Sequence, residues 1–106
     1  MTHGMLESRA TTYRLRLTSN AIDIGDGAFE PSTSVVMVGT TVTWMNRDSA
    51  PHFILSASGK FVGSSVLEEH QQYSVTFERP GEYPYFCALS PKMAGKIVVR
   101  DHAVLR

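Results

Sequence analysis

Four positions carry the chemistry this chain could do. Cys87 is its only cysteine, and Met93 follows six residues later in Tyr85-Phe86-Cys87-Ala88-Leu89-Ser90-Pro91-Lys92-Met93. His52 stands upstream in Asn46-Arg47-Asp48-Ser49-Ala50-Pro51-His52. A thiolate, an imidazole and a thioether together make a soft donor set suited to copper, in which the thiolate donates charge and a distant thioether tunes the redox potential. Ser90 lies between Cys87 and Met93, where a neutral hydroxyl is a hard and weak donor. The 87–93 segment therefore reads as a metal-ligand loop short of one ligand. Each residue also has a plainer reading. Alone, Cys87 is a small buried residue, His52 a hydrogen-bonded loop histidine and Met93 packing. The three together favour a metal.

The elements that would position these groups are strands. Thr12–Leu17, Ala21–Ile24, Thr41–Asn46 and Gln72–Phe77 alternate polar and apolar residues with the period of a half-buried strand. Ser34–Val38, His52–Ser56, Glu82–Cys87 and Gly95–Arg100 read as further strands. Gly25-Asp26-Gly27, Gly39-Thr40 and Arg79-Pro80-Gly81 punctuate them as turns. Seven or eight short strands at this spacing predict an all-β, antiparallel sandwich or barrel. The stretch 62–71 could hold a single helical turn. Trp44, Met37 and Met45 are assigned to packing, as are Tyr83 and Tyr85 on either side of Pro84.

Composition narrows the function. The chain has 106 residues, 42% apolar and 19% charged, with ten basic and ten acidic side chains. That length suits one domain able to bury its own core. Residues 1–10 read as a tail and 11–106 as the domain. Zero net charge offers no electrostatic footprint for nucleic acid or an anionic membrane. No apolar run reaches spanning length, and residues 1–10 do not read as a signal peptide. A single cysteine excludes an intramolecular disulfide.

Three segments in order, VGTTVTWMNRDSAPH, YSVTFERPGEYPYFC and PKMAGKIVV, make the region 38–99 similar to the cupredoxins (blue copper proteins), of the amicyanin and plastocyanin type. Phe29-Glu30-Pro31 matches the extended piece before the first segment. The resemblance implies an all-β, antiparallel Greek-key β-sandwich of cupredoxin type with one copper ion, Cu(I) or Cu(II), at a type 1 copper site. His52 would be the upstream imidazole ligand, Cys87 the thiolate and Met93 the axial thioether. Asn46 would tie the two ligand-bearing loops together, Pro51 would turn its carbonyl toward the metal, and Pro91 would stiffen the loop. The family's short loop is Cys-x-x-His-x-x-Met, and Ser90 takes the histidine's place. Copper should then bind more weakly, Cu(II) more so than Cu(I), and water or an exogenous ligand could enter the open position. His70, His102 and His3 are the remaining histidines that could supply a donor. His70 sits in a polar surface stretch, His102 beyond the last strand and His3 in the tail.

The resemblance also implies electron transfer with another redox protein, docked at the apolar surface around the loop, and an exported, periplasmic setting. Lys92 could face an acidic partner or simply be solvated. Two other functions compete: a domain that handles Cu(I) without redox cycling, and a metal-free sandwich serving as an interaction module. An enzyme has least support, because no nucleophile–base triad or carboxylate pair is apparent.

Overall fold

The computed structural model describes residues 19–101. Eight strands follow in order: β1 (Ser19–Gly25), β2 (Ala28–Glu30), β3 (Thr33–Met37), β4 (Thr40–Asn46), β5 (Leu55–Ser56), β6 (Gln72–Phe77), β7 (Gly81–Cys87) and β8 (Ser90–Arg100). They form two four-stranded sheets, β2-β1-β4-β6 and β3-β8-β7-β5. The all-β sandwich expected from the alternation is present. Two of its details differ from expectation. Its sheets are mixed, since β1 runs parallel to β4 and β3 parallel to β8. The stretch 62–71 holds no helical turn among the described residues; Leu67 instead bridges to His52. The Thr12–Leu17 strand, the boundary between residues 10 and 11, His3 and His102 lie outside the described residues.

β4 shows why the alternation is reliable. Thr40, Val42, Trp44 and Asn46 are buried, while the residues between them are half-buried on the outer face. Opposite them on β6, Thr76 and Ser74 pair hydroxyl to hydroxyl with Thr41 and Thr43, each at 2.7 Å. Cross-strand pairs of this kind fix register on the outer face. On the inner face, Trp44 stands over Tyr85 edge-on at 5.2 Å between ring centroids, and Phe29 meets Tyr85 from another side at 4.8 Å. Tyr83 and Tyr85 are both buried, Trp44 is fully so, and Met37 is also in the core. Met45 is half-buried.

Two glycines set the backbone at critical points. Gly27 completes the Asp26-Gly27 turn between β1 and β2. Both residues have positive φ, 53° and 75°, the left-handed pair that a two-residue hairpin turn of this kind needs. Gly95 on β8 lies beneath the Tyr85 ring, and a Cβ there would run into it. This glycine lets the aromatic ring seat two residues from Cys87.

Candidate metal centre

β7 and β8 build one half of the site. Their ladder runs regularly to Phe86 opposite Ala94, then jumps so that Cys87 pairs with Ser90. Ala88 and Leu89 make a two-residue turn, and Pro91, Lys92 and Met93 have no partner on β7. An expected loop is thus a tight hairpin with a three-residue bulge on β8. Bulges re-aim side chains beside functional sites, and a proline suits one because it has no N–H to leave unpaired. Met93 turns inward, 6% exposed, while Ser90, Pro91 and Lys92 face solvent.

The other half is the segment after β4. His52 is 5% exposed and is held by paired backbone hydrogen bonds with Leu67, His52 N to Leu67 O at 3.1 Å and Leu67 N to His52 O at 2.8 Å. Asn46, fully buried, is its brace. The Asn46 amide donates to Ala50 O at 2.9 Å and Leu67 O at 2.8 Å, and its oxygen accepts from the Asp48 N–H at 2.8 Å. Those bonds join the His52 segment to the 67–71 segment. Its backbone adds Asn46 N to Gln71 O and His70 N to Asn46 O.

The two halves meet at the imidazole and the thiol. His52 Nδ1 lies 3.3 Å from Cys87 Sγ. Cys87 is fully buried, and burial pushes its thiol up, yet the N–H groups of Phe53, Leu89 and Ser90, together with His52, hold it below the ordinary value. An environment of converging donors favours the thiolate, which is the form that binds metals. The second ring nitrogen of His52, Nε2, is 2.9 Å from Asp48 Oδ2. Burial lowers the imidazole's affinity for a proton, but Cys87 and Asp48 outweigh it, so His52 titrates above its ordinary value. Asp48 is held below the usual carboxylate range, first by His52 and then by the Asp26 N–H. A carboxylate behind an imidazole fixes ring orientation and tautomer. Asp48 is a site residue that the sequence reading misses, although it stands four residues before His52, within reach if the intervening segment curls back.

His52 and Cys87 are therefore brought together, and Met93 is buried on the adjoining bulge. Among the described residues no three His, Cys, Asp or Glu side chains are gathered for a metal. Pro51 is exposed beside His52, and Pro91 is exposed in the bulge. The His70 side chain is 71% exposed and lies 3.8 Å from Glu69. A surface cavity of about 430 Å³ is lined by Ser90, Pro91, Lys92 and Met93 of the bulge and by Gly27 of the β1–β2 turn.

Known proteins of the same fold are similar to this chain over most of its length. The Cupredoxin-like domain family matches residues 6–99. The chain belongs to the cupredoxin-like family. It is 38% identical over 82 residues to amicyanin of Paracoccus denitrificans, an alignment covering 74% of this chain and 63% of that protein. It is 36% identical over 85 residues to amicyanin-alpha of Methylorubrum extorquens strain AM1, covering 76% of this chain and 71% of that one. The chain thus spans somewhat under two thirds of the Paracoccus relative. A solved structure of an amicyanin methionine variant in its Cu(I) form superposes with a TM-score of 0.74 at 36% identity, covering 77% of this cupredoxin and 82% of that chain. No helix among the described residues is long and apolar enough to cross a membrane.

Proposed function

We propose that this cupredoxin is an electron-transfer protein with one copper held by His52, Cys87 and Met93, and with the coordination position beside Ser90 open. The observation that carries the reading is the 3.3 Å approach of His52 Nδ1 to Cys87 Sγ, with the Ser90 side of the hairpin facing solvent. A bound copper would supply a one-electron Cu(I)/Cu(II) couple. The chain's own residues hold the donors: Asp48 and Asn46 orient His52, and three backbone N–H groups support the thiolate. Ser90 gives only a hydroxyl, which can hydrogen-bond a water or an exogenous ligand but is a poor donor to a soft centre.

The natural partner would be a redox protein meeting the exposed surface around Leu89, which is 56% exposed, and Pro91. An exported, periplasmic setting belongs to the same reading. Two of the three donors are sulfur, which favours Cu(I). That supports a second reading, a domain that holds Cu(I) without cycling. Neither reading calls for catalysis.

An anaerobic copper titration, then oxidation and a visible spectrum with and without imidazole, tests the proposal. One equivalent of copper should bind, and an intense thiolate-to-copper band should appear, or grow strongly, when imidazole is added. Stoichiometric binding with no oxidised state would support the copper-holding reading. Failure to bind copper in either state would leave a metal-free sandwich.

A further inference from the structure

We propose that the crevice at the far end of β4 from His52 is a binding site for a small aromatic carboxylate. Phe77 on β6 pairs with Thr40 at the start of β4, whereas Asn46, which braces the His52 segment, ends that strand. Six residues of strand put the two places about 20 Å apart, so the crevice is separate from the candidate metal centre. It holds about 200 Å³, and Lys60, Phe61, Phe77, Glu78, Arg79 and Tyr83 are among its walls. An apolar cavity of about 150 Å³ is enough to take benzene, which leaves room here for a ring with its carboxylate at the mouth.

The floor is apolar. Phe61 meets Phe77 edge-on at 5.5 Å between ring centroids, and Phe77 meets Tyr83 at 4.8 Å. Another ring can add to such a wall by the same offset or edge-on contact. The rim carries the charge. Lys60 Nζ donates to Glu82 O at 3.2 Å and stands 5.3 Å from the centre of the Tyr83 ring. That places the ammonium while leaving two of its three protons for a ligand. The Tyr83 hydroxyl donates to Arg79 O at 2.7 Å, which pins the turn that carries the Arg79 guanidinium. Neither cation makes an ion pair among the described residues. Glu78 is the one acid on the wall, so two cations stand against one carboxylate. Glu82 turns its own carboxylate to Lys96, at 3.4 Å. A carboxylate at the rim would therefore meet two cationic donors, one of them a planar fork matched to its two oxygens. A neutral ring would gain the floor alone.

The experiment titrates the isotope-labelled full chain with benzoate, with its neutral isostere benzamide, and with acetate, which has the charge without the ring. Amide shifts in two-dimensional NMR are the readout. Benzoate should move the amides within 60–61 and 75–83 together, with a dissociation constant on the order of a millimolar for so few atoms. Benzamide, which loses both charge contacts, should bind at least about fivefold more weakly, and acetate should not saturate. Lys60→Gln and Arg79→Gln, both at exposed positions, should each weaken benzoate about twofold to fivefold and leave benzamide unchanged. Shifts confined to other parts of the chain, or benzoate and benzamide binding alike, would overturn the proposal. So would benzoate affinity equal in the parent and both variants, or acetate binding as tightly as benzoate.

Discussion

The two corners that flank the donor set are built to opposite standards. On the His52 side, Asn46, Asp48, Ala50, Leu67 and Gln71 form a closed web of hydrogen bonds, and the residue at its centre, Asn46, has no solvent exposure. On the Ser90 side, the chain turns in two residues, bulges by three and exposes Ser90, Pro91 and Lys92 together. The contrast separates two jobs. The braced corner holds one imidazole in one orientation. Under the proposed copper reading, the thiolate and imidazole would then not need to reorganise between metal states, and the open corner would lack a fixed ligand and with it the means to exclude others.

The sharpest way to break this comparison is to remove the thiolate that both corners share. Cys87→Ser should abolish the thiolate-to-copper band and cost more copper affinity than the tenfold to hundredfold typical of an outer partner; a chelator-competition titration reads it. Next is Ser90→His, which should make the open corner resemble the braced one. Cu(II) affinity should rise by at least about tenfold, and the band should appear without imidazole. Unchanged affinity would mean the Ser90 position does not face the metal.

The braced corner can be loosened in turn. Asn46→Ala leaves the Leu67 carbonyl without its partner in a buried place, and the Ala50 carbonyl and the Asp48 N–H without theirs in part-buried ones, at about 2–4 kcal/mol of stability, or a Tm lower by roughly 10 °C or more. Scanning calorimetry of the metal-free chain measures it. Asp48→Asn keeps the shape but removes the charge behind His52, and should cost up to about tenfold in copper affinity with little change in Tm.

The smallest effect at neutral pH belongs to the core beneath both corners. Burial pushes the Tyr85 phenol from 10.0 to about 12, with the Trp44 indole opposing this slightly and no formed hydrogen bond at its hydroxyl. A folded value above the unfolded one means the stabilising contribution is complete below pH about 10 and is lost as pH rises through about 12, amounting to about 3 kcal/mol over that window. Tyr85→Phe should flatten this alkaline loss in urea titrations between pH about 9 and 12. An equal slope in parent and variant would place the loss elsewhere.

Much of the fold and part of the site are legible in the residues. The alternation of 41–46 and 72–77 marks the strands, and Asp26-Gly27 marks the turn. Chemistry, order and resemblance single out His52, Cys87 and Met93, and two of them are found face to face. The parallel pairing of β1 with β4 is not legible, because a period of two says which face a residue occupies but not which distant strand lies beside it. The polar run Ser90-Pro91-Lys92 reads as loop, since a bulge keeps the composition of a loop while its neighbours keep the ladder. The partners of Asn46 are not legible for a similar reason: a buried amide announces a brace, but which backbone it braces is decided by tertiary packing. The stretch 62–71 carries enough helix-forming residues to suggest a turn, and the bridge between Leu67 and His52 overrides that local preference.

The two oxygens of Asp48 serve two separate groups at once, His52 Nε2 and the Asp26 N–H at 3.2 Å. Anything that redistributes charge on the imidazole must alter what the same carboxylate offers the amide on the neighbouring turn. The Asp26 amide proton is therefore a built-in reporter: from an exposed turn, its chemical shift follows the state of a buried ring to which it is joined only through the carboxylate.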